Sequence, residues 1–393
     1  MSNSETELAI VGIGYSKLSR HDAGFSVGGL ALQATRDAIR DAGLDRSQID
    51  GVGAIFAPDL ATVMPGYVIE GLGLTNVVWT SNCMPASAKI VVEGLNAVRA
   101  GLCNYALVYH SKFRWDTTST SARKDPLRRS PPMTFDGTLI GPLIETCATP
   151  NAFAAYMRRH MHVYGSRREH YGMVAVNNRT NAQQNPRAVF HGQPITMDDY
   201  LAAPMITDPF SLLDMDTPID GAMALVITTA ERAKDLAKPP VRVAAYSNGS
   251  TGKTDMVFQP FDFYDAAKVV ADNLWRQSGL TQDDIDIANV YDGFTILTLD
   301  WLEAAFAKRG EAAGLLEDAW DPASQTLKLF GRIPMSTHGG NLSEGRVQGM
   351  GHVLEAVLQL RGEAGERQVP NARNVLVLNG ANPVNAGLIL SAA

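Results

Sequence analysis

The chain repeats itself, and that repetition constrains its fold more than any other feature of the sequence. Residues 28–50, "GGLALQATRDAIRDAGLDRSQID", read as an amphipathic helix closed by Gly43 and followed by a capped short turn. The pattern returns at 265–286 as "DAAKVVADNLWRQSGLTQDDID". Gly43-Leu44 matches Gly279-Leu280 and Ile49-Asp50 matches Ile285-Asp286, all displaced by 236 residues. Further on, "VVEGLNAVRAG" (91–101) parallels "VLEAVLQLRGE" (353–363), taking Glu93 to Glu355 and Arg99 to Arg361 at a displacement of 262. Each helix leads into a β-rich run such as "YALVYH" or "NVLVLNG". Strand–helix alternation met twice in one order predicts an α/β protein of two duplicated halves with largely buried sheets.

The two displacements differ by 26 residues, which places an extra segment in the second half around "TILTLDWLEAAFAKRGEAAGLLEDAWDPASQTLKLFGRIPMS". The halves are 1–235 and 236–393. The stretch 113–235 is rich in Arg, His, Pro and aromatic residues and poor in regular alternation. Its first part, about 113–200, reads as an excursion or lid over the site. "ITDPFSLLDMDTPIDGAMALVITTAERA" then supplies a strand and a helix that rejoin the first half.

With 393 residues, 45% apolar and 19% charged, the chain has material for a sizeable core. A net charge of -7 argues against a general partner for nucleic acid or an anionic membrane surface, since either needs a basic excess. No apolar stretch reaches the length of a membrane span, and "MSNSETELAIVG" lacks a leader's basic and apolar regions, which points to the cytoplasm. Three cysteines, Cys83, Cys103 and Cys147, make neither a disulfide framework nor a CxxC zinc site. "VGIGYS" (11–16) lacks the third glycine of a dinucleotide fingerprint. The basic patch "RRHMHVYGSRREHYG" (158–172) reads as a solvated helix face or as a contact for the phosphates of coenzyme A.

The displacement of 262 carries Arg346 onto Met84 and Gly345 onto Cys83. The loop "SEGRVQGMGH" therefore has a twin in "TSNCMPASAKIVVEGL", and both open a helix. Two equivalent helix N-termini converge near the axis relating the halves, where N–H groups and helix dipoles favour a developing thioester oxyanion or enolate.

"SNCMPAS", "TDPFSLLDMDTPIDGAMALV", "NVYDGF", "STHGGNLSEGRVQGMGH" and "QLRG" together resemble the thiolase superfamily, over essentially the whole chain. Within it the chain is most similar to the lipid-transfer-protein or sterol-carrier-thiolase-like branch. That branch includes steroid side-chain retro-aldolases working with a small OB-fold, zinc-ribbon partner protein. The resemblance implies a thiolase-like, layered αβαβα fold with an inserted lid, a homodimer formed through first-half strands, and an acyl-CoA substrate. It implies no permanently bound cofactor, coenzyme A entering as part of the substrate.

The sequence departs from the thiolase pattern of a nucleophilic Cys, a His on the second-half loop and a C-terminal Cys. The His position falls on Arg346, "NGANPVNAG" has no cysteine, and the nucleophile position falls on Met84, one residue after Cys83. The retro-aldolase relatives carry two tyrosines instead; Tyr291 of "VYDGF" retains one, and Arg346 stands at the other.

Each candidate has a functional and a plain reading. Cys83 is a nucleophile at a helix N-terminus, with His338 as its base, or a small buried side chain. Tyr291, emerging from "DIANV" at a strand's C-terminal end, handles the proton of a β-hydroxyl, or is a core tyrosine. Asp292 orients Tyr291 or caps the next helix. Arg346 stabilises an enolate or carboxylate, or pairs with Glu344 or a distant carboxylate. Met84, Gly339, Gly340, Ser343 and Gly345 form the substrate-facing loops, the glycine pair permitting close backbone approach. The favoured function is making or breaking a carbon–carbon bond beside an acyl-CoA thioester, by retro-aldol cleavage. The rivals are a thiolase-type acyltransferase using Cys83, and a catalytically degraded acyl-CoA-binding or scaffold protein.

Overall fold

The computed structural model describes residues 6–21, 23–55, 62–83, 87–113, 149–250, 263–381 and 384–393; Met84 and Cys147 lie outside them. Strand β1 (Leu8–Tyr15) alternates, sending Leu8 and Ile10 to one side and Ala9 and Val11 to the other. Helix α1 (Val27–Asp41) follows, its N-cap Ser26 hydroxyl accepting from the Gly29 N–H at 3.1 Å. Its buried face, Leu30, Ala31, Ala34 and Ala38, lies close against β1. A Cβ at Gly12 or Gly14 would stand 2.2 or 2.1 Å from a carbonyl of α1, so the glycines of "VGIGYS" serve helix–strand packing. Then come β2 (Gly51–Ile55), α2 (Pro65–Leu72), β3 (Trp79–Cys83), α3 (Ser87–Arg99) and β4 (Ala106–Lys112).

The described part of the excursion holds α4 (Thr149–Tyr164), α5 (Arg168–Ala182), α6 (Met197–Leu201) and the short pair β5 (Met205–Thr207) and β6 (Phe210–Ser211). It is more regular than its sequence suggests. Helix α5 buries Asn177, Asn178 and Arg179 beside Val174 and Val176, so its inner face carries no apolar periodicity. The excursion shares its apolar cluster with the second half: Phe153, Tyr156, Tyr171 and Phe210 pack with Phe263, Phe294 and Leu299. Strand β7 (Gly221–Thr229) and α7 (Ala230–Ala233) rejoin the first half.

The second half repeats the plan with β8 (Val241–Gly249), α8 (Tyr264–Ser278) and β9 (Ile287–Val290). Its extra segment forms α9 (Thr295–Phe306), α10 (Ala312–Ala319) and a small sheet of β10 (Trp320–Asp321), β11 (Thr326–Leu329) and β12 (Ile333–Pro334). Then α11 (Gly340–Ser343), α12 (Met350–Arg361), β13 (Asn374–Ala381) and β14 (Val384–Ser391) close the chain. The nine long strands run in the order β3-β2-β4-β7-β1-β8-β14-β13-β9, the two halves meeting at a β1–β8 seam of two residue pairs.

The layers follow from which side chains each face presents. On β7, Ala222, Ala224 and Val226 point to α1, while Met223, Leu225 and Ile227 join the cluster around α3 and α12. Helix α3 touches β4 of the first half and β13 and β14 of the second. Helices α3 and α12 therefore form a shared middle layer. With α1 and α2 outside one half-sheet and α8 and α9 outside the other, the arrangement is αβαβα, as expected.

Strand register corrects one sequence mapping. The displacement of 236 carries Val52 onto Ala288, and their parallel neighbours are Thr80 and Met335, 255 residues apart. Cys83 is thus the counterpart of His338, not of Gly345. The second-half loop is seven residues longer than its twin, so the helix displacement of 262 does not extend back across it.

Arg361 fastens the halves together. Its fully buried guanidinium reaches Asp41 Oδ2 at 2.7 Å and the Val11 carbonyl at 2.9 Å. Partial burial opposes ionisation of Asp41, but hydrogen bonds from Lys238, Arg361 and the Ile13 N–H hold its carboxyl below the ordinary range. The contribution is therefore complete above about pH 4 and drains away as pH falls through the lowered value. Arg361→Ala should cost about 2 kcal/mol by removing the charge-assisted hydrogen bonds to Asp41 and the Val11 carbonyl, with Lys238 and the Ile13 N–H still holding the carboxylate. The denaturation midpoint reads this directly, and an unchanged midpoint would remove the clamp.

Candidate active site

The mouth of α3 meets the second-half loop. At the start of α3, the Ser87 N–H donates to the Gln348 carbonyl at 3.1 Å and the Ser87 hydroxyl donates to the Val347 carbonyl at 2.8 Å. The Ala88 N–H donates to Asn379 Oδ1 at 3.2 Å, bringing in the end of β13. Gly349, at the mouth of α12, has φ 82°, and a Cβ there would stand 1.6 Å from Asn379 Nδ2. The helix mouths and the C-terminal ends of β4, β9 and β13 therefore converge, where sites of α/β proteins are assembled.

Tyr291, one residue past β9, is 6% exposed, and its hydroxyl donates to Gln348 Oε1 at 3.2 Å. Arg346 reaches the same Oε1 at 3.5 Å from Nη2. Its guanidinium also pairs with Asp216, Nη1 donating to Oδ1 at 3.0 Å and Nε lying 3.0 Å from Oδ2 as an ion-pair contact. Of the pairing alternatives for Arg346, the distant carboxylate is the one present; Glu344 instead accepts from Asn185 Nδ2 at 2.9 Å. Burial pushes the Tyr291 phenol well above its ordinary pKa, with Arg346 pulling it down and Asp216 and Asp292 pushing it up. The phenol is thus a protonated donor beside a fixed cation.

His110, on β4, joins this group and was not singled out from the sequence. It is fully buried, with Nδ1 3.0 Å from the Ser87 hydroxyl. That hydroxyl's one proton goes to Val347, so the Ser87 oxygen accepts from Nδ1–H and leaves Nε2 as a bare lone pair. Nε2 has no hydrogen-bond partner among the described residues. Burial first, then Lys112 and Arg346, hold the imidazole well below its ordinary pKa and neutral. A signal was present, because β-strand register makes His110 the counterpart of Asn379. Asp216 and Gln348 were missed as well, although both stand in quoted motifs.

Asp292 braces the loop. It accepts from the N–H groups of Asn341 at 2.8 Å and Leu342 at 3.0 Å, and from Asn178 Nδ2 at 2.7 Å. It does not cap the next helix, α9, which has no side-chain bond at its N-cap Phe294; it binds the N–H groups of the distant α11 instead, with His352 Nε2 3.2 Å away. The glycine pair faces protein: a Cβ on Gly340 would stand 2.1 Å from Asp292 Oδ2, and one on Gly339 2.7 Å from Ala182. Gly345 packs on Ile219, and the Ser343 hydroxyl accepts from Arg179 Nε at 3.1 Å.

Among the described residues no hydrogen bond joins the thiolase-type pair, Cys83 and His338. Cys83 ends β3 inside an apolar cluster, and burial pushes its thiol up to about 12, away from the thiolate that attack requires. His338 is buried behind the loop, its ring 4.7 Å from that of His352 and its Nε2 3.9 Å from Glu344. Burial, with His352, Arg367 and Arg187 nearby, keeps it well below its ordinary pKa.

Beside Asp216 and Ser343 lies a cavity of about 330 Å³ with apolar walls that include Ile195, Leu212 and Leu342. Two guanidiniums stand in its lining, Arg20 and Arg179, stacked on the Phe190 ring at 4.2 and 3.8 Å. The basic patch is largely committed within the protein: His160 and His170 are buried against Glu303 and Glu317, and Arg168 donates to the Leu201 and Tyr200 carbonyls. Among the described residues no helix is long and apolar enough to cross a membrane.

Residues 250–390 match the family model described as thiolase C-terminal domain-like. The chain is 34% identical to the 17-hydroxy-3-oxo-4-pregnene-20-carboxyl-CoA lyase of Mycobacterium tuberculosis, over 98% of this chain and 99% of that protein. It is 33% identical to the steroid side-chain-cleaving aldolase of Thermomonospora curvata, over 98% and 97%. The solved structure of an Ltp2-ChsH2(DUF35) aldolase superposes with a TM-score of 0.85 at 32% identity, covering 98% of each chain. With its duplicated five-layer fold, this chain belongs to the thiolase superfamily, in the branch of the steroid side-chain-cleaving aldolases and sterol-carrier thiolases.

Proposed function

We propose that this protein is a carbon–carbon lyase that cleaves a β-hydroxyacyl-CoA by a retro-aldol reaction, releasing a carbonyl compound and a shorter acyl-CoA. The observation that carries the reading is the Tyr291–Gln348–Arg346 group at the meeting of the two helix mouths. A retro-aldol step needs proton transfer and a charge to hold the thioester enolate, and it needs no covalent nucleophile. Tyr291 is the proton-transfer group and Arg346 the electrophile, with loop N–H groups assisting. The neighbouring cavity takes the apolar arm of the thioester, its guanidiniums attracting the phosphates of coenzyme A. The relatives' names, which specify a steroid, support a bulky polycyclic β-substituent.

The same reading includes a cytoplasmic homodimer and a small OB-fold, zinc-ribbon partner. Free thiols at Cys83 and Cys103 suit a reducing compartment. Strand β3 is an outer strand of the long sheet, which suits pairing with a second copy. The partner is supported by the two-protein aldolase that the fold resembles.

The acyltransferase alternative is separated by one experiment. Incubation with an acyl-CoA followed by mass spectrometry should leave no acyl group on Cys83, and Cys83→Ser should retain turnover. An acylated Cys83 together with an inactive serine variant would replace the aldol reading with thiolase-type chemistry. Cleavage of the β-hydroxyacyl-CoA itself, followed by release of the carbonyl product, tests the reading against a non-catalytic scaffold.

A further inference from the structure

We infer that His110 is the base that removes the β-hydroxyl proton, leaving Tyr291 to protonate the enolate. This deepens the retro-aldol reading and rests on it. The reaction moves two protons at two places, one off the hydroxyl oxygen and one onto the α-carbon. A protonated phenol can supply the second but cannot accept the first. The cluster therefore needs a group that arrives with a free, unprotonated lone pair.

His110 is built as that group. The Ser87 hydroxyl, its own proton spent on the Val347 carbonyl, fixes the proton of His110 on Nδ1 and leaves Nε2 bare. The imidazole is 0% exposed, so no bulk water competes for that lone pair, and Nε2 has no hydrogen-bond partner among the described residues. The charged groups that act on it are Lys112 from its own strand and Arg346 from the second-half loop; Ser87 faces it from α3. Both cations disfavour a resting imidazolium, so the ring meets substrate in the neutral form. His110 is tied through Ser87 to the Val347 carbonyl and Tyr291 bonds to Gln348, so one stretch of the second-half loop, 346–348, serves both rings.

The step balances. The hydroxyl proton passes to Nε2 as the C–O bond becomes a carbonyl. The Cα–Cβ bond breaks and its electron pair forms the thioester enolate, held by Arg346. The Tyr291 phenol then gives its proton to the α-carbon, and the imidazolium returns a proton to the tyrosinate. His110 acts on the oxygen and Tyr291 on the carbon.

That division gives the test, run on the full-length protein with whatever partner co-purifies. The two readouts are cleavage of 17-hydroxy-3-oxo-4-pregnene-20-carboxyl-CoA and solvent-deuterium exchange at the α-carbon of the shorter acyl-CoA product. His110→Asn should lose cleavage by about 100-fold or more, the usual scale for an acid–base group, and α-exchange with it, because the tyrosinate that takes an α-proton forms only by passing its own proton to His110. Tyr291→Phe should lose both. A folded His110→Asn variant that cleaves or exchanges like wild type overturns the assignment while the retro-aldol reading stands. Wild-type protein that neither cleaves nor exchanges overturns that reading, and this inference with it. A second measurement does not depend on any variant folding: nitrogen-15 spectra of histidine-labelled protein should show His110 protonated at Nδ1 and bare at Nε2. A proton on Nε2 would remove the base.

Discussion

Tyr291→Phe should lower turnover by about 10²–10⁴-fold and leave the protein folded. The substitution keeps the ring, which packs in the large cluster with Phe294 and Leu299, and deletes a hydroxyl. That hydroxyl makes one side-chain hydrogen bond, to Gln348 Oε1 at 3.2 Å. A neutral hydrogen bond of this kind contributes on the order of 1 kcal/mol to stability. A loss of 10²–10⁴ in rate corresponds to about 2.7–5.4 kcal/mol of barrier, so chemistry dominates. Thermal unfolding and turnover should therefore separate cleanly. A fully active Tyr291→Phe protein would take the proton-transfer role away from the phenol.

Arg346→Ala should cost about 10²–10³-fold in turnover, the scale seen when one charge-stabilising donor is removed. The lysine variant distinguishes what the side chain supplies. Arg346 donates from Nη1 to Asp216 Oδ1 at 3.0 Å and reaches Gln348 Oε1 from Nη2 at 3.5 Å, so its guanidinium is held at two points before substrate arrives. Lysine keeps the charge but cannot reproduce the planar guanidinium's separate contacts to Asp216 and Gln348, and Arg346→Lys should recover only part of the loss. Its α-exchange rate should fall with its cleavage rate, because both pass through the enolate that the charge stabilises. Full activity in Arg346→Ala, joined to full activity in Tyr291→Phe, would make the scaffold reading the leading one.

The features legible in the sequence were those set by local chemistry. The closing glycines of the first long helix and its counterpart, Gly43 and Gly279, adopt φ values of 70° and 67° in equivalent turns. The capped turns after them, at Asp45 and Thr281, depend on side chains three residues apart. Such signals survive duplication and reveal it. Tyr291 was found because a motif marked it at a strand's end. What escaped depended on distance along the chain. Asp216 meets Arg346 across 130 residues, and no local pattern announces that pair. His110 sits in "ALVYH", where alternation with apolar neighbours makes it resemble a core position. Loop length misled the mapping of Cys83, because the helix pattern fixed one displacement and the strand register another. Helix α5 escaped because its inward polar residues are satisfied by long-range partners, such as Asn178 by Asp292 and Arg179 by Ser343.

The middle layer has a consequence for how the molecule comes apart. Helix α3 leans on strands of its own half and on β13 and β14 of the other, and α12 does the same in reverse toward β7. Neither half keeps a covered inner face when its twin is lost, so neither is a separable folding unit. A tandem duplication has become a single cooperative body. Local damage in one half is then shared by both: a lesion far from the chemistry does not loosen one lobe around an intact centre, but lowers the fraction of whole molecules in which the two helix mouths face each other at all.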